Sequence, residues 1–180
     1  MAEKTYDFNL LVSCSWSAYG KAKKEIVHTL GALDDKNPLV KRTVAKGIVG
    51  VRTCLDSREV TRRLRALFDQ NPLVFQHTLK WVPVDLWTHS DMDSMKRAVV
   101  ELKNKIHVGE RWRMTVEKRR YTRYHKVEII RELANLIDEK VDLISPDKIL
   151  RVDIIGPCAG MSILTPRDVF SVTKYYSTVF

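Results

Sequence analysis

Between residues 7 and 83 the spacing of apolar residues switches from the period of a strand to that of a helix and back, in the order strand, helix, strand, strand, helix, strand. Residues 7–14, DFNLLVSC, form a nearly continuous apolar run, as in the middle of a sheet. Ser15 or Ser17 is then placed to cap a helix in which Ala22, Ile26, Leu30 and Leu33 recur at three and four residues. Residues 39–44 and 48–55 read as short strands joined by Ala45-Lys46-Gly47, a hairpin whose glycine can take a positive φ. Asp56 or Ser57 caps a second helix, with Val60, Leu64, Leu67 and Phe68 inward and Arg58, Arg62, Arg63 and Arg65 outward. Asn71-Pro72 breaks that helix, and residues 75–83 return as a strand.

That order is the one of a ferredoxin-like unit, so the sequence predicts such a domain over residues 1–72, its last strand extending to about 83. Beyond Pro83 the pattern changes. Ser90 or Asp91 caps a helix with Met95, Val99, Leu102 and Ile106 on one stripe, and a strand follows over 111–117 in which Trp112, Met114 and Val116 alternate with polar residues. A cationic turn leads into a helix carrying Val127, Ile130, Leu133, Ala134 and Ile137 at helical spacing. Ser145-Pro146-Asp147 is a turn, 148–155 a strand, 156–160 a turn and 161–164 a strand. Thr165-Pro166-Arg167-Asp168 places a capping hydroxyl, a proline at N1 and an acid, and predicts a short helix to about Tyr175. Helix and strand alternate over 73–180, which predicts a second, α/β domain with some parallel pairing. The expected fold is therefore α+β and α/β, with the two domains packed together.

The chain carries 31 Lys and Arg against 22 Asp and Glu, a formal charge of +9. A basic excess favours a polyanionic partner, and here it is concentrated: in residues 111–126, RWRMTVEKRRYTRYHK, seven cations are opposed only by Glu117, with Glu128 just beyond. Tyr121, Tyr124 and His125 interleave with the cations, setting flat stacking surfaces beside donors for phosphate oxygens, a mixture suited to RNA. The cations of 118–126 also precede a helix N-terminus, which itself attracts phosphate. The arginine face of the second helix reads as solvated surface with at most an auxiliary role. No apolar run approaches the roughly 20 residues that cross a bilayer, and MAEKTYDF lacks the apolar centre of a signal peptide, so the expected location is the cytoplasm.

Catalytic chemistry finds little support. The histidines at 28, 77, 89, 107 and 125 show no metal-ligand spacing. Cys14, Cys54 and Cys158 are too few and scattered for a disulfide framework and read as free thiols, Cys158 without a visibly placed base. GPCAGMS at 156–162 lacks the lysine of a P-loop and reads as a tight turn between strands. No cofactor, metal or catalytic residue is predicted.

The succession WRMTVEKRRYTRYHKVEIIRELANLI, VDLISPDKILRVDII and GMSIL resembles the THUMP domain of tRNA-modifying proteins, in which a strand with a basic end, a helix, an N/S-P-D turn and a valine-rich strand occur in this order. The resemblance covers residues 73–175, and a ferredoxin-like unit before it is similar to how THUMP domains are commonly presented. It implies docking on the acceptor end of tRNA while a separate domain carries the chemistry. The chain stops soon after this pattern, with no cofactor loop, PP-loop or catalytic cysteine motif, and VDIIGPCAGMSIL looks most like the adaptor that tRNA cytidine acetyltransferases use to make N4-acetylcytidine. The resemblance thus implies a non-enzymatic adaptor with two partners, tRNA and an acetyltransferase; an RNA-binding subunit for methylation or thiolation, or a stand-alone enzyme, is the alternative. The implied RNA contacts are Lys118, Arg119, Arg120, Arg123 and Lys126, flanked by Arg111 and Arg113, with Tyr121, Tyr124 or His125 stacking on bases.

Overall fold

A computed structural model describes residues 5–172. In chain order the elements are β1 (Leu10–Cys14), α1 (Tyr19–Ala32), β2 (Leu39–Arg42), β3 (Ile48–Arg52), α2 (Ser57–Gln70), β4 (Thr78–Pro83), β5 (Leu86–His89), α3 (Met92–Leu102), β6 (Trp112–Arg119), α4 (Lys126–Ala134), β7 (Lys148–Ile155), β8 (Cys158–Leu164) and β9 (Phe170–Ser171). They form two compact units, each with its own mixed α+β core. One is Phe8–Val84 joined by the tail from Arg167; the other is Asp85–Pro166 joined by the residues before Phe8. No helix among the described residues is long and apolar enough to cross a membrane.

In the first unit the sheet order is β2-β3-β1-β4-β9, with β1 antiparallel to both β3 and β4. The βαββαβ order read from the sequence is therefore the order that folds, as a ferredoxin-like unit. Leu10, Val12 and Cys14 alternate onto the face that α1 covers with Ala22, Ile26 and Leu30 and α2 with Val60, Leu64 and Phe68. Asp56 caps α2, its carboxylate accepting from the Arg58 and Glu59 amides at 3.0 and 2.8 Å, worth about 1 kcal/mol to the helix. Gly47, at φ 79°, closes the β2–β3 hairpin as its position predicts. The expected serine cap of α1 does not form: Ala18 occupies the N-cap without a side-chain bond. A tertiary bond the sequence did not signal fixes the entry to β4, where the Glu25 carboxylate accepts from the amides of Gln76, His77 and Thr78 at 2.9–3.0 Å.

The compact units divide between Val84 and Asp85, so the strand that the sequence extends from the 1–72 domain to about 83 is β4, a member of the first sheet. The tail departs from expectation. Where a capped helix from Thr165 to about Tyr175 was predicted, residues 165–169 make a turn and residues 170–171 are β9, antiparallel to β4; residues 173–175 of that helix lie outside the described residues. Packing overrides the capping signal. Phe170 sits 5.0 Å from Phe75 and 5.9 Å from Phe68 between ring centroids, and the Arg65 guanidinium donates to the carbonyls of Arg167 and Val169 at 2.8 and 3.1 Å, fixing the turn that leads into the strand.

In the second unit the sheet order is β5-β8-β7-β6, with β6 parallel to β7 and the other pairs antiparallel. A parallel pair needs a crossover, which α4 supplies. Trp112 and Val116 of β6 meet Leu150, Val152 and Ile154 of β7 under Met95 and Val99 of α3 and Ile129 and Leu133 of α4. Removing any large member of this cluster would cost about 2–5 kcal/mol as a cavity. The strand β5 was not anticipated: LWTH is short, follows a proline, and reads as connection until β8 pairs with it. The glycine-rich turn is also shorter than predicted, because β8 begins at Cys158 and only Gly156-Pro157 turn the chain.

Candidate nucleic-acid interface

β6 positions the cationic segment through its alternation. Trp112 and Val116 are buried and Met114 packs against them, as expected, so the strand is anchored on one face. Arg113, Thr115, Glu117 and Arg119 take the other face. At the end of the strand the Arg119 guanidinium lies 3.6 Å from the buried Asp153 carboxylate, which Arg151 also engages at 2.7 Å, and the Arg119 carbonyl accepts from Gly156 N–H at 2.9 Å. The next residue, Arg120, takes φ 57°, a left-handed conformation that costs a non-glycine residue of order 1 kcal/mol. The chain thereby leaves the sheet, and Arg120 is exposed.

Two of the aromatic residues hold the turn in place. The Tyr121 hydroxyl donates to the Ser90 carbonyl at 2.6 Å, and burial, with the neighbouring Tyr124, pushes its pKa up to about 12. Lys118 donates to the Tyr124 carbonyl at 2.5 Å and lies 5.8 Å from the Tyr121 ring centroid. Both tyrosines pack partly into the core of the unit. The Arg123 guanidinium stands 5.2 Å from the Tyr124 ring centroid, a cation–π contact on an exposed residue. His125 is the N-cap of α4, its amide donating to the Glu128 carboxylate at 3.4 Å, and His125 and Lys126 are exposed.

The sequence-predicted contacts thus separate into three groups. Arg120, Arg123, His125 and Lys126 are displayed together on the β6–α4 turn. Lys118, Arg119, Tyr121 and Tyr124 are engaged beneath them by the protein's own atoms. Arg111 and Arg113 stand at the opposite end of an eight-residue strand, about 25 Å away at 3.3 Å per residue. There Arg111 pairs with Asp142 at 3.1 Å and Arg113 donates to the Leu143 carbonyl at 3.2 Å. Amides of Ser145 and Ile144, then Arg111, hold the Asp142 carboxyl below its ordinary pKa.

Beside the turn lies an open groove of about 520 Å³, walled by Arg120, Tyr121 and Arg123 on one side and by His89, Ser90 and Asp91 on the other, with Gly156-Pro157 between. The turn in that groove is fixed rather than open for a ligand: Ser90 donates from its hydroxyl to the Gly156 carbonyl and from its amide to the Pro157 carbonyl, both at 2.9 Å. Asp91 caps α3 by accepting from Ser94 N–H at 2.8 Å, and although burial works to raise its carboxyl, these bonds keep it low. His89 and Ser90 escaped the sequence reading as lining residues because the strand that carries His89 escaped it. The arrangement can bind phosphate through three exposed cations at a helix start. Cys14 and Cys158 are buried and Cys54 is exposed, all as free thiols. Cys158 pairs in register with His89 across β5 and β8 and is 4% exposed. Among the described residues no group of His, Cys, Asp and Glu is arranged to hold a metal ion.

Residues 89–164 match the sequence model of the THUMP domain. No curated protein matches the sequence. Among solved structures, the fold is similar to PH1313 from Pyrococcus horikoshii (TM-score 0.66, 14% identity, covering 88% of this chain and 55% of that one). It is similar also to TrmN from Thermus thermophilus (0.59, 12%, 95% and 48%) and to a 4-thiouridine synthetase crystallised with RNA and ATP (0.54, 16%, 92% and 42%). At these identities the likeness is one of fold. The chain spans about half the length of these structures.

Proposed function

We propose that this protein is a tRNA-binding adaptor of a cytoplasmic tRNA-modification system, and that it presents the acceptor end of tRNA to a cytidine acetyltransferase for N4-acetylcytidine formation. The observation that carries the RNA-binding part is the β6–α4 turn: Arg120, Arg123 and Lys126 are displayed at the start of a helix, above Lys118 and Arg119, which the protein's own atoms engage. A mobile turn would lose backbone entropy on meeting phosphate; one already braced by Tyr121 and Lys118 avoids that loss. The THUMP match over 89–164 supports the same reading, because that domain resembles the RNA-docking part of tRNA-modifying proteins. The acetyltransferase partner rests on the VDIIGPCAGMSIL run, which forms the β7–β8 hairpin.

A second reading is favoured by one observation, the likeness over 92% of this chain to a 4-thiouridine synthetase bound to RNA: the same surface would then serve thiolation. Nucleoside analysis of bulk tRNA after deletion of the gene separates the two. The adaptor reading expects N4-acetylcytidine to disappear while other nucleosides persist. Loss of 4-thiouridine or of a methylated nucleoside instead would move the protein to another modification, and an unchanged nucleoside profile would overturn both readings.

A further inference from the structure

The ferredoxin-like unit carries a second aromatic and cationic surface that the β6–α4 turn does not include. Trp16 is 77% exposed. It does not simply wave in solvent. A Cβ on Gly47 would come within 2.9 Å of Trp16 Cδ1 and of the Cys14 carbonyl oxygen, so the indole edge rests on the bare backbone of the β2–β3 hairpin tip. That tip is rigid: Thr43 bonds the Ala45 and Ile48 carbonyls at 3.1 and 2.9 Å, and Cys14 N–H donates to the Gly47 carbonyl at 2.9 Å.

Beside Trp16, the Arg42 guanidinium stacks on the Tyr19 ring at 3.8 Å from the centroid. Trp16, Tyr19, Arg42, Lys46 and Gly47 line one cavity of about 330 Å³, large enough to take a flat ring. The chain around it is free of acid: no Asp or Glu occurs in residues 10–24 or 36–55, the two stretches that build the site, whereas Lys23, one turn of α1 beyond Tyr19, adds a further exposed cation. An indole and a guanidinium–phenol stack set among cations and no carboxylates suit a π-face with an attached phosphate.

We propose that Trp16, with the Tyr19–Arg42 stack and Lys46, holds an unpaired nucleotide of the bound RNA, the base stacking on the indole and its phosphate meeting Arg42 and Lys46. This rests on the RNA-binding reading of the protein and adds a single-strand contact to it. The base-stacking part distinguishes this site from the β6–α4 turn, whose tyrosines are occupied in bracing the chain.

The test compares a short blunt RNA duplex with the same duplex carrying a single-stranded extension, bound to the wild-type protein, Trp16→Ala, Trp16→Phe and an Arg120→Glu, Arg123→Glu double variant. Trp16→Ala is expected to weaken binding of the extended duplex by roughly 5- to 150-fold, to leave the blunt duplex unchanged, and to be largely rescued by Trp16→Phe. The double variant should weaken both duplexes alike. Equal loss on both duplexes, or no loss, in Trp16→Ala would overturn the assignment. Displacement of the extended duplex by adenosine monophosphate at equal nucleotide concentration would reassign the cavity to free nucleotides and overturn it too. If the wild-type protein binds neither duplex, the RNA-binding reading itself fails; if it binds both and only Trp16→Ala is silent, that reading stands and the single-strand site falls.

Discussion

In α2 the arginines are engaged by the protein's own acceptors, whereas in the β6–α4 turn they are held out from them. Arg58 lies 3.7 Å from Asp168, Arg62 bonds both oxygens of Glu59, Arg63 donates to the Leu33 carbonyl at 3.1 Å, and Arg65 ties down the Arg167 and Val169 carbonyls. Across the turn, Arg120, Arg123 and Lys126 form no ion pair among the described residues, and the Arg123 guanidinium stands over the Tyr124 ring. An arginine already bonded to a carboxylate or carbonyl must give up that bond to meet a phosphate, so its net gain is small. On the proposed reading, unused donors rather than charge density in the chain mark the RNA surface.

The largest expected effect breaks the comparison on the turn side. Charge reversal of Arg120 and Arg123 together should weaken RNA binding by about 100-fold, near tenfold for each charge-assisted contact, with the melting temperature unchanged. On the α2 side the expected effect is smaller and of the other kind. Arg65→Ala should lower stability by about 1–2 kcal/mol, through the loss of two carbonyl partners near β9, and leave RNA affinity within experimental error; denaturant unfolding and a binding titration measure both. If Arg65→Ala cost as much affinity as the turn variant, the distinction would be lost.

Tyr121 gives the smallest and sharpest effect. Its phenol has a folded pKa of about 12 against an ordinary 10, so folding favours the neutral form. Its contribution is complete below pH 10 and lost as pH rises through about 12. Tyr121→Phe should cost about 1 kcal/mol at neutral pH, by leaving the Ser90 carbonyl without its donor, and should remove this part of the stability loss between pH 10 and 12. A loss of affinity without loss of stability would instead make Tyr121 an RNA contact.

The sequence was legible where a local rule matched the tertiary demand. Apolar periods gave the βαββαβ order and the core face of β6, and Asp56 and Asp91 cap the helices they precede. It was less legible where distant groups decide. β5 is a strand because β8 pairs with it, and a turn followed by β9 stands where a capped helix was expected because Phe170 packs on Phe75 and Arg65 bonds the carbonyls of the turn. The basic turn stood out by composition, but which of its residues brace and which are displayed depends on Ser90 and Asp153, 31 and 34 residues from Tyr121 and Arg119. Trp16 carried no such local signal: a lone tryptophan between serines becomes a surface only when the hairpin tip brings Gly47 and Arg42 beside it.

The most direct test is the dependence of RNA affinity on salt for the wild-type protein and the Arg120→Glu, Arg123→Glu variant. If the displayed cations hold phosphates, the slope of log affinity against log salt falls by about two in the variant, and the two proteins converge at high salt. Parallel lines of equal affinity would contradict it, and the RNA surface would have to be sought elsewhere on the molecule.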